Sequence, residues 1–343
     1  MKVAIVGATG YGGIELVRIL RQHRRVEELS VYSSSYAGTS FGAFYPHIQD
    51  IYRGILKSVE TKQLADDYDI VFVSAPPGVA AELMEGLLDG NARVIDLSGD
   101  FRIQDRSVYE AWYERNAAKQ SFIQEAAYGL SEWNREKIEN ARLIANPGCY
   151  PTAILNGLAP LVKENVLDMS SIIIDAKSGT TGAGKNPSAM THFSEMNESL
   201  KIYKVNEHKH TPEIEQVLSE WNPAAQPVTF TPHLVPMTRG SWRQCMQRAS
   251  HYQRKTFSQS MKNIINPNRS CEFVKTAFPS TKEVHSSNFN DISFSFDART
   301  NRMTIVSVID NLMKGAAGQA VQNMNIMQKY DEEEGLFMLP VFP

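Results

Sequence analysis

Through its first third the chain alternates short apolar runs with segments whose apolar residues recur every three or four positions. "KVAIVG" (2–7) is a β-branched run ending in glycine and reads as a buried strand. "GGIELVRILRQH" follows, with Ile14, Leu16, Val17, Ile19 and Leu20 on one helical stripe. "ELSVYS", "YDIVFVSAP", "ARVIDLSGD" and "ARLIANPG" add four more strands, with "GVAAELMEGLLDG" a helix between the second and third of them. Strands alternating with helices over short loops predict a parallel sheet covered on both faces. The texture changes after residue 149. "YPTAILNGLAPLV" reads as a helix, then come "SSIIIDAKSG", "VTFTPHLVPM", "NDISFSFDA" and "RMTIVSVID". Alternation such as "ISFSF" fits antiparallel strands with one face covered. "NLMKGAAGQAVQNMNIMQKY" is a last helix, whose small residues predict close packing against another backbone. The predicted fold is α/β: a Rossmann-like parallel-sheet domain, then an α+β domain with a mostly antiparallel sheet.

A length of 343 residues agrees with two domains, and 42% apolar residues suffices for two cores. Net charge is −3 with no block of like charge, so neither a nucleic-acid groove nor an anionic membrane surface is an expected partner. No apolar run approaches the roughly 18 residues that cross a bilayer. The opening "MKVAIVGATGYGG" is too short for a signal-peptide core. Cys149, Cys245 and Cys271 form an odd, scattered set without metal-ligand spacing. The expectation is a soluble cytoplasmic protein with free thiols and no metal.

Two places carry chemistry. "GATGYGG" (7–13) lies between the first strand and first helix, where glycines admit a pyrophosphate and the helix start offers N–H groups. A tight turn without a ligand is the plain alternative. The second strand ends in Ser33, Ser34 and Ser35 rather than the acid that holds an NAD ribose, which favours NADP(H), although no arginine follows directly. Cys149 stands after a Pro-Gly turn at a helix start, a position that exposes a thiol and favours its thiolate, at the boundary between the two textures. A buried small hydrophobe is the alternative, and it is the expected state of Cys245 and Cys271. A nicotinamide beside a nucleophilic cysteine points to an acyl group taken up as thioester and reduced to an aldehyde. "NEHKHTPEIEQ" supplies His208 and His210 as acid/base candidates, with His192 and His233 weaker.

Seven segments in order, "GATGYGG", "DLSGDFR", "NPGCYPT", "SGTTGAG", "HKHTPEIEQ", "TPHLVPMTRG" and "DNLMKGAAGQAVQN", together resemble the N-acetyl-gamma-glutamyl-phosphate reductase family, relatives of aspartate-semialdehyde dehydrogenase. The likeness runs from Lys2 to about Asn325. It implies reduction of N-acetyl-L-glutamyl 5-phosphate by NADPH to N-acetyl-L-glutamate 5-semialdehyde and phosphate, in arginine biosynthesis. It implies Cys149 as nucleophile and His208, in preference to His210, as acid/base. On the cofactor side it implies Gly7, Thr9, Gly10, Tyr11, Gly12, Ser33, Ser34, Ser35 and Gly182. On the substrate side it implies Arg102, Asn146, Ser178, Gly179 and Arg239, with Arg102 on the phosphate and Arg239 a second candidate for the phosphate or the substrate's α-carboxylate. Residues 1–148, completed by 315–343, would bind NADP(H); residues 149–314 would hold substrate and form a homodimer or homotetramer. The family's usual "SGVSGAG" is "SGTTGAG" here, and its "SR"-like pair after the second strand is Ser34-Ser35, which leaves the 2′-phosphate without an identified charge partner. Alternatives are another acyl phosphate (aspartyl or carrier-linked amino-acid phosphate) and a non-catalytic dinucleotide-binding sensor.

Overall fold

The computed structural model describes residues 1–249 and 277–342, and the backbone alone of 271–273. The chain divides into two units, Met1–Pro147 with Ala316–Phe337, and Gly148–Gly315 with Met338–Pro343. The division falls one residue before the expected one because Gly148 donates its N–H to Glu213 of the second unit. The chain end, expected in the first unit, joins the second, where Val341 N–H donates to His285 O.

The first unit is built on β1 (Lys2–Val6), β2 (Glu28–Tyr32), β3 (Ile70–Val73), β4 (Arg93–Asp96), β5 (Ala127–Tyr128) and β6 (Leu143–Ala145). They form one sheet in the order β2-β1-β3-β4-β6-β5, every pairing parallel. Ile70, Val71, Phe72 and Val73 are all 0% exposed, as unbroken apolar strands covered on both faces must be. The helices are α1 (Tyr11–Leu20), α2 (Thr61–Asp67), α3 (Val79–Leu88), α4 (Arg106–Tyr113), α5 (Gln120–Glu125) and α6 (Ser131–Asn140). Strand order reverses at β1, with β2 on one side and β3 on the other. Ligands of open α/β sheets bind beyond the strand ends at such a reversal, and the glycine loop after β1 sits there.

The second unit opens with α7 (Cys149–Lys163), α8 (Phe193–Met196) and α9 (Thr211–Trp221) around β7 (Ile173–Ser178), β8 (Lys201–Ile202), β9 (Thr229–Leu234), β10 (Ser241–Arg248), β11 (Cys271–Phe273), β12 (Asn290–Asp297) and β13 (Arg302–Ile309). The sheet order is β11-β12-β13-β10-β7-β9-β8. β12–β13, β13–β10, β10–β7 and β9–β8 pair antiparallel, β7–β9 and β11–β12 parallel. α7 packs against β10, β13 and α9, and Tyr150 to Val162 are buried. The terminal segment begins as a π-helical turn, Met313–Ala317, and continues in the first unit as α10 (Gly318–Met327). There Gln319 and Asn323 donate side-chain N–H to Gly129 O at 2.7 and 2.8 Å. Among the described residues no helix is long and apolar enough to cross a membrane.

Candidate active site

In the first unit the glycine loop is shaped by contact. Gly7 has φ +81°, and a Cβ there would lie 2.3 Å from Ser74 O, so only glycine fits. A Cβ on Gly10, by contrast, meets nothing nearer than 3.7 Å. Gly10 is also the N-cap of α1, and no side chain caps that helix start. The loop of Gly7, Thr9, Gly10, Tyr11 and Gly12 therefore offers a backbone cradle at a positive helix end, which fits a pyrophosphate. Tyr45 braces it from behind, its hydroxyl donating to Thr9 O at 2.9 Å. At the end of β2, Ser33 is buried and its Oγ accepts Ser35 N–H at 3.3 Å, so it shapes the turn. Ser34 and Ser35 are exposed.

The "DLSGDFR" loop is locked internally. Asp100 accepts from Gly78 and Ala81 N–H at the start of α3 and from Tyr109 Oη at 2.7 Å. Asp96, fully buried beside Asp100, holds Ser98 and Gly99 N–H, and burial raises its pKa above the usual carboxylate range. Arg102 is 6% exposed; Nε donates to Asn146 O at 2.7 Å and Nη2 to Leu97 O at 3.2 Å. Asn146 is itself engaged with Ala316 O and Asn323. Both residues, expected on the substrate, spend these groups in fixing the strand ends.

In the second unit Cys149 is the first residue of α7, with Gly148 as N-cap and no side-chain cap. It is partly exposed, whereas Cys245 is buried and its thiol pushed up to about 12 by burial. The side chain of Cys271 lies outside the described residues. The turn is gripped from two sides. Glu213, 0% exposed in the first turn of α9, accepts Gly148 N–H on Oε1 at 2.9 Å. His210, the residue before α9, approaches so closely that a Cβ on Gly148 would lie 2.5 Å from Nε2. From a third side comes Gly315, whose added Cβ would meet Cys149 Cβ at 2.7 Å, the close backbone approach that the small residues of this segment predicted.

The two histidines are not equivalent. His208 Nδ1 accepts His210 N–H at 3.2 Å, and Nε2 stands 3.4 Å from Tyr203 Oη. It is enclosed by Tyr150, Tyr203 and Phe230, and burial lowers its pKa to about 3, helped by Lys209, Lys204 and Arg243. Such an imidazole is neutral at ordinary pH and braces His210. Of the two, His210 is the one against the cysteine turn, and His208 stands behind it. Tyr150 is 2% exposed, with Oη 3.1 Å from Tyr203 Oη, and carries the Arg243 guanidinium over its ring at 3.7 Å. Neither Glu213 nor Arg243 was singled out on the sequence. Glu213 had a signal, standing three residues after His210, a spacing that brings two side chains together wherever a helix starts.

The remaining candidates lie at strand ends of this unit's sheet, after β7 and before β10. Ser178 ends β7 and is 1% exposed, and a Cβ on Gly179 would come within 2.8 Å of Met237 O and Thr238 O. The loop onward to exposed Gly182 is tied by Thr181 Oγ1 to Thr238 O at 2.7 Å and by Asn311 Nδ2 to Thr181. Arg239 directs Nε at Asp310 Oδ2 at 3.0 Å and Nη2 at Oδ1 at 3.1 Å, and Asp310 is fully buried. That bidentate edge is committed to Asp310 within the unit.

Residues 2–141 match the model of the semialdehyde dehydrogenase NAD binding domain, and residues 149–311 that of the semialdehyde dehydrogenase dimerisation domain. An N-acetyl-gamma-glutamyl-phosphate reductase of Geobacillus sp. (strain WCH70) is 51% identical over 351 residues, 100% of both chains being covered. Those of Bacillus subtilis (strain 168) and Halalkalibacterium halodurans are each 52% identical, again over 100% of both chains. Among solved structures, aspartate semialdehyde dehydrogenase II from Vibrio cholerae, complexed with ASA, gives a TM-score of 0.72 at 19% identity, covering 96% of this chain and 98% of that one. The Candida albicans aspartate semialdehyde dehydrogenase with NADP gives 0.69 at 15%, covering 95% and 98%. At these identities the likeness shows the fold.

Proposed function

The chain belongs to the N-acetyl-gamma-glutamyl-phosphate reductase family, and on that premise we propose that it takes the acyl group of N-acetyl-L-glutamyl 5-phosphate onto Cys149 and releases it as the 5-semialdehyde. The observation that carries the chemistry is the partly exposed Cys149 at a bare helix start, with the His210 imidazole against the same turn. The thiolate attacks the acyl carbon, a C–S bond forms, the C–O bond to phosphate breaks and phosphate leaves. A nicotinamide dinucleotide, when bound at the Gly7–Gly13 loop, supplies the hydride that brings the acyl group to the aldehyde level. His210 gives a proton to the acyl oxygen from Nε2 and takes it back as the C–S bond breaks and the thiolate is restored. Glu213 and His208 hold that geometry, one on Gly148 N–H and the other on His210 N–H. Ser34 and Ser35 favour NADPH, since their hydroxyls donate to a 2′-phosphate that a carboxylate would repel. The second unit matches a dimerisation domain, which supports a homo-oligomer.

The test is phosphate-dependent reduction of NADP⁺ with a panel of aldehydes, a direction that avoids the labile acyl phosphate. N-acetylglutamate 5-semialdehyde should react and aspartate semialdehyde should not. The opposite pattern would give the same chemistry another substrate.

A further inference from the structure

Buried guanidinium groups are ordinarily paired with carboxylates or fully hydrogen-bonded, because an unpaired charge out of water is costly. Arg243 departs from that rule. It is 0% exposed, in the middle of β10, opposite Ala176 of β7 and Ser307 of β13. Nη1 donates to the carbonyls of Lys177 and Trp242. Nε and Nη2 are equally buried and meet no hydrogen-bond partner among the described residues. The group stacks on Tyr150, the residue after Cys149.

We propose that Arg243 is a positioning residue whose buried positive charge, unpaired on its Nε and Nη2 edge and fixed against Tyr150, holds the Cys149 sulfur as thiolate. The carboxylates on the neighbouring elements, Asp175 and Glu213, are engaged by other groups. Burial pulls the guanidinium's own pKa down, and the groups that offset this are Tyr150, Cys149, Tyr203 and Cys245. Burial pushes both tyrosines up and Cys245 up to about 12, so those three stay neutral. On β7, Lys177 is paired with Asp175, which also meets His233 of β9. Before and within α9, His208 is neutral, His210 faces Gly148, and Glu213 is turned to Gly148 N–H. In the π-helical turn, Lys314 is buried next to Gly315, the residue that closes on Cys149 Cβ. The Cys149 thiol, partly exposed and at a positive helix end, is the group left to ionise.

This pairing matters only if Cys149 is the reacting thiol, and so rests on the function proposed above, yet its test needs no turnover. The rate of iodoacetamide alkylation at Cys149 is followed against pH by peptide mass spectrometry in the full chain, in Arg243→Met and in Arg243→Lys. An opposite charge at close range moves a pKa by about 1–3. The midpoint should therefore rise by about one pH unit or more in Arg243→Met and recover in part in Arg243→Lys. An unchanged midpoint in folded Arg243→Met overturns the assignment. Should Arg243→Met not fold, thermal unfolding of the unmodified chain and Cys149→Ser across pH decides. A thiol that ionises early in the folded state adds stability as pH rises toward the ordinary value of about 8.5. The gap between the two proteins should widen over that range, and a constant gap would overturn the pairing.

Discussion

Replacing Gly148 with alanine places a methyl group where the imidazole of His210 now lies. An added Cβ would stand 2.5 Å from Nε2, 2.8 Å from Cε1 and 2.9 Å from Cδ2. The backbone at Gly148, φ −69° and ψ 156°, is one that alanine adopts freely, so backbone strain does not enter. Carbon contacts settle at about 3.5 Å, so the ring must withdraw by about 1 Å. It has little room, being 8% exposed with its centroid 4.8 Å from that of His208 and 5.8 Å from that of Tyr150. Overpacking of this kind costs about 1–3 kcal/mol, and a misplacement of about 1 Å costs roughly 10²-fold in turnover. Initial rates of NADP⁺ reduction measure the second figure, and urea unfolding the first. Iodoacetamide alkylation of Cys149 serves as control and should keep its rate, since the thiol is not the group displaced. Adding His210→Ala should restore most of the lost stability and none of the activity. Unaltered turnover in Gly148→Ala would refute the placement of His210 in the chemistry.

His210→Asn should lower turnover by about 10²–10⁴-fold, as for a lost acid/base group, and His208→Asn by less; the reverse order would return the role to His208. With the His208 pKa lowered to about 3 from 6.5 by burial, the unfolded chain takes up a proton that the folded one refuses. The stability due to this histidine is then present above 6.5 and lost as pH falls, by about 2 kcal/mol between about pH 6.5 and pH 5. Urea midpoints should show this loss in the unmodified chain and not in His208→Gln; parallel curves would mean that His208 is solvated. Ser34→Asp should abolish or reverse the preference for NADPH over NADH in binding titrations, and an unchanged preference would remove the β2 serines from cofactor selection.

Local signals carried much of this architecture. β3 is apolar throughout, β1 and β4 are apolar at their centres, and each runs into turn residues, so the covered parallel sheet was legible, and Pro-Gly before Cys149 marked the start of α7. The segment carrying α4 and α5 was not legible, because α4, "RSVYEAWY", is amphipathic without a run of aliphatic residues and is held by Asp105 capping Ser107 and Val108. In β10 the larger apolar residues do not mark the covered face. Its larger apolar residues, Trp242 and Met246, occupy the less buried face, whereas Ser241, Arg243, Cys245 and Gln247 are buried. A strand pattern tells which residues share a face; which face is covered depends on the helix laid over it. The different surroundings of His208 and His210 were closed to the sequence for a related reason, since they rest on one bond to the next histidine's N–H and on aromatic rings brought in from other elements.

The central claim is that an acyl group is carried on the Cys149 sulfur. With N-acetylglutamate 5-semialdehyde and NADP⁺ but without phosphate, the reverse reaction should stop at the thioester. Rapid mixing should then show a burst of NADPH equal to the concentration of active sites, and peptide mass spectrometry should find the N-acetylglutamyl group on Cys149. Cys149→Ser should give neither. A chain that turned over with phosphate yet showed no burst and no acylated Cys149 would contradict the account.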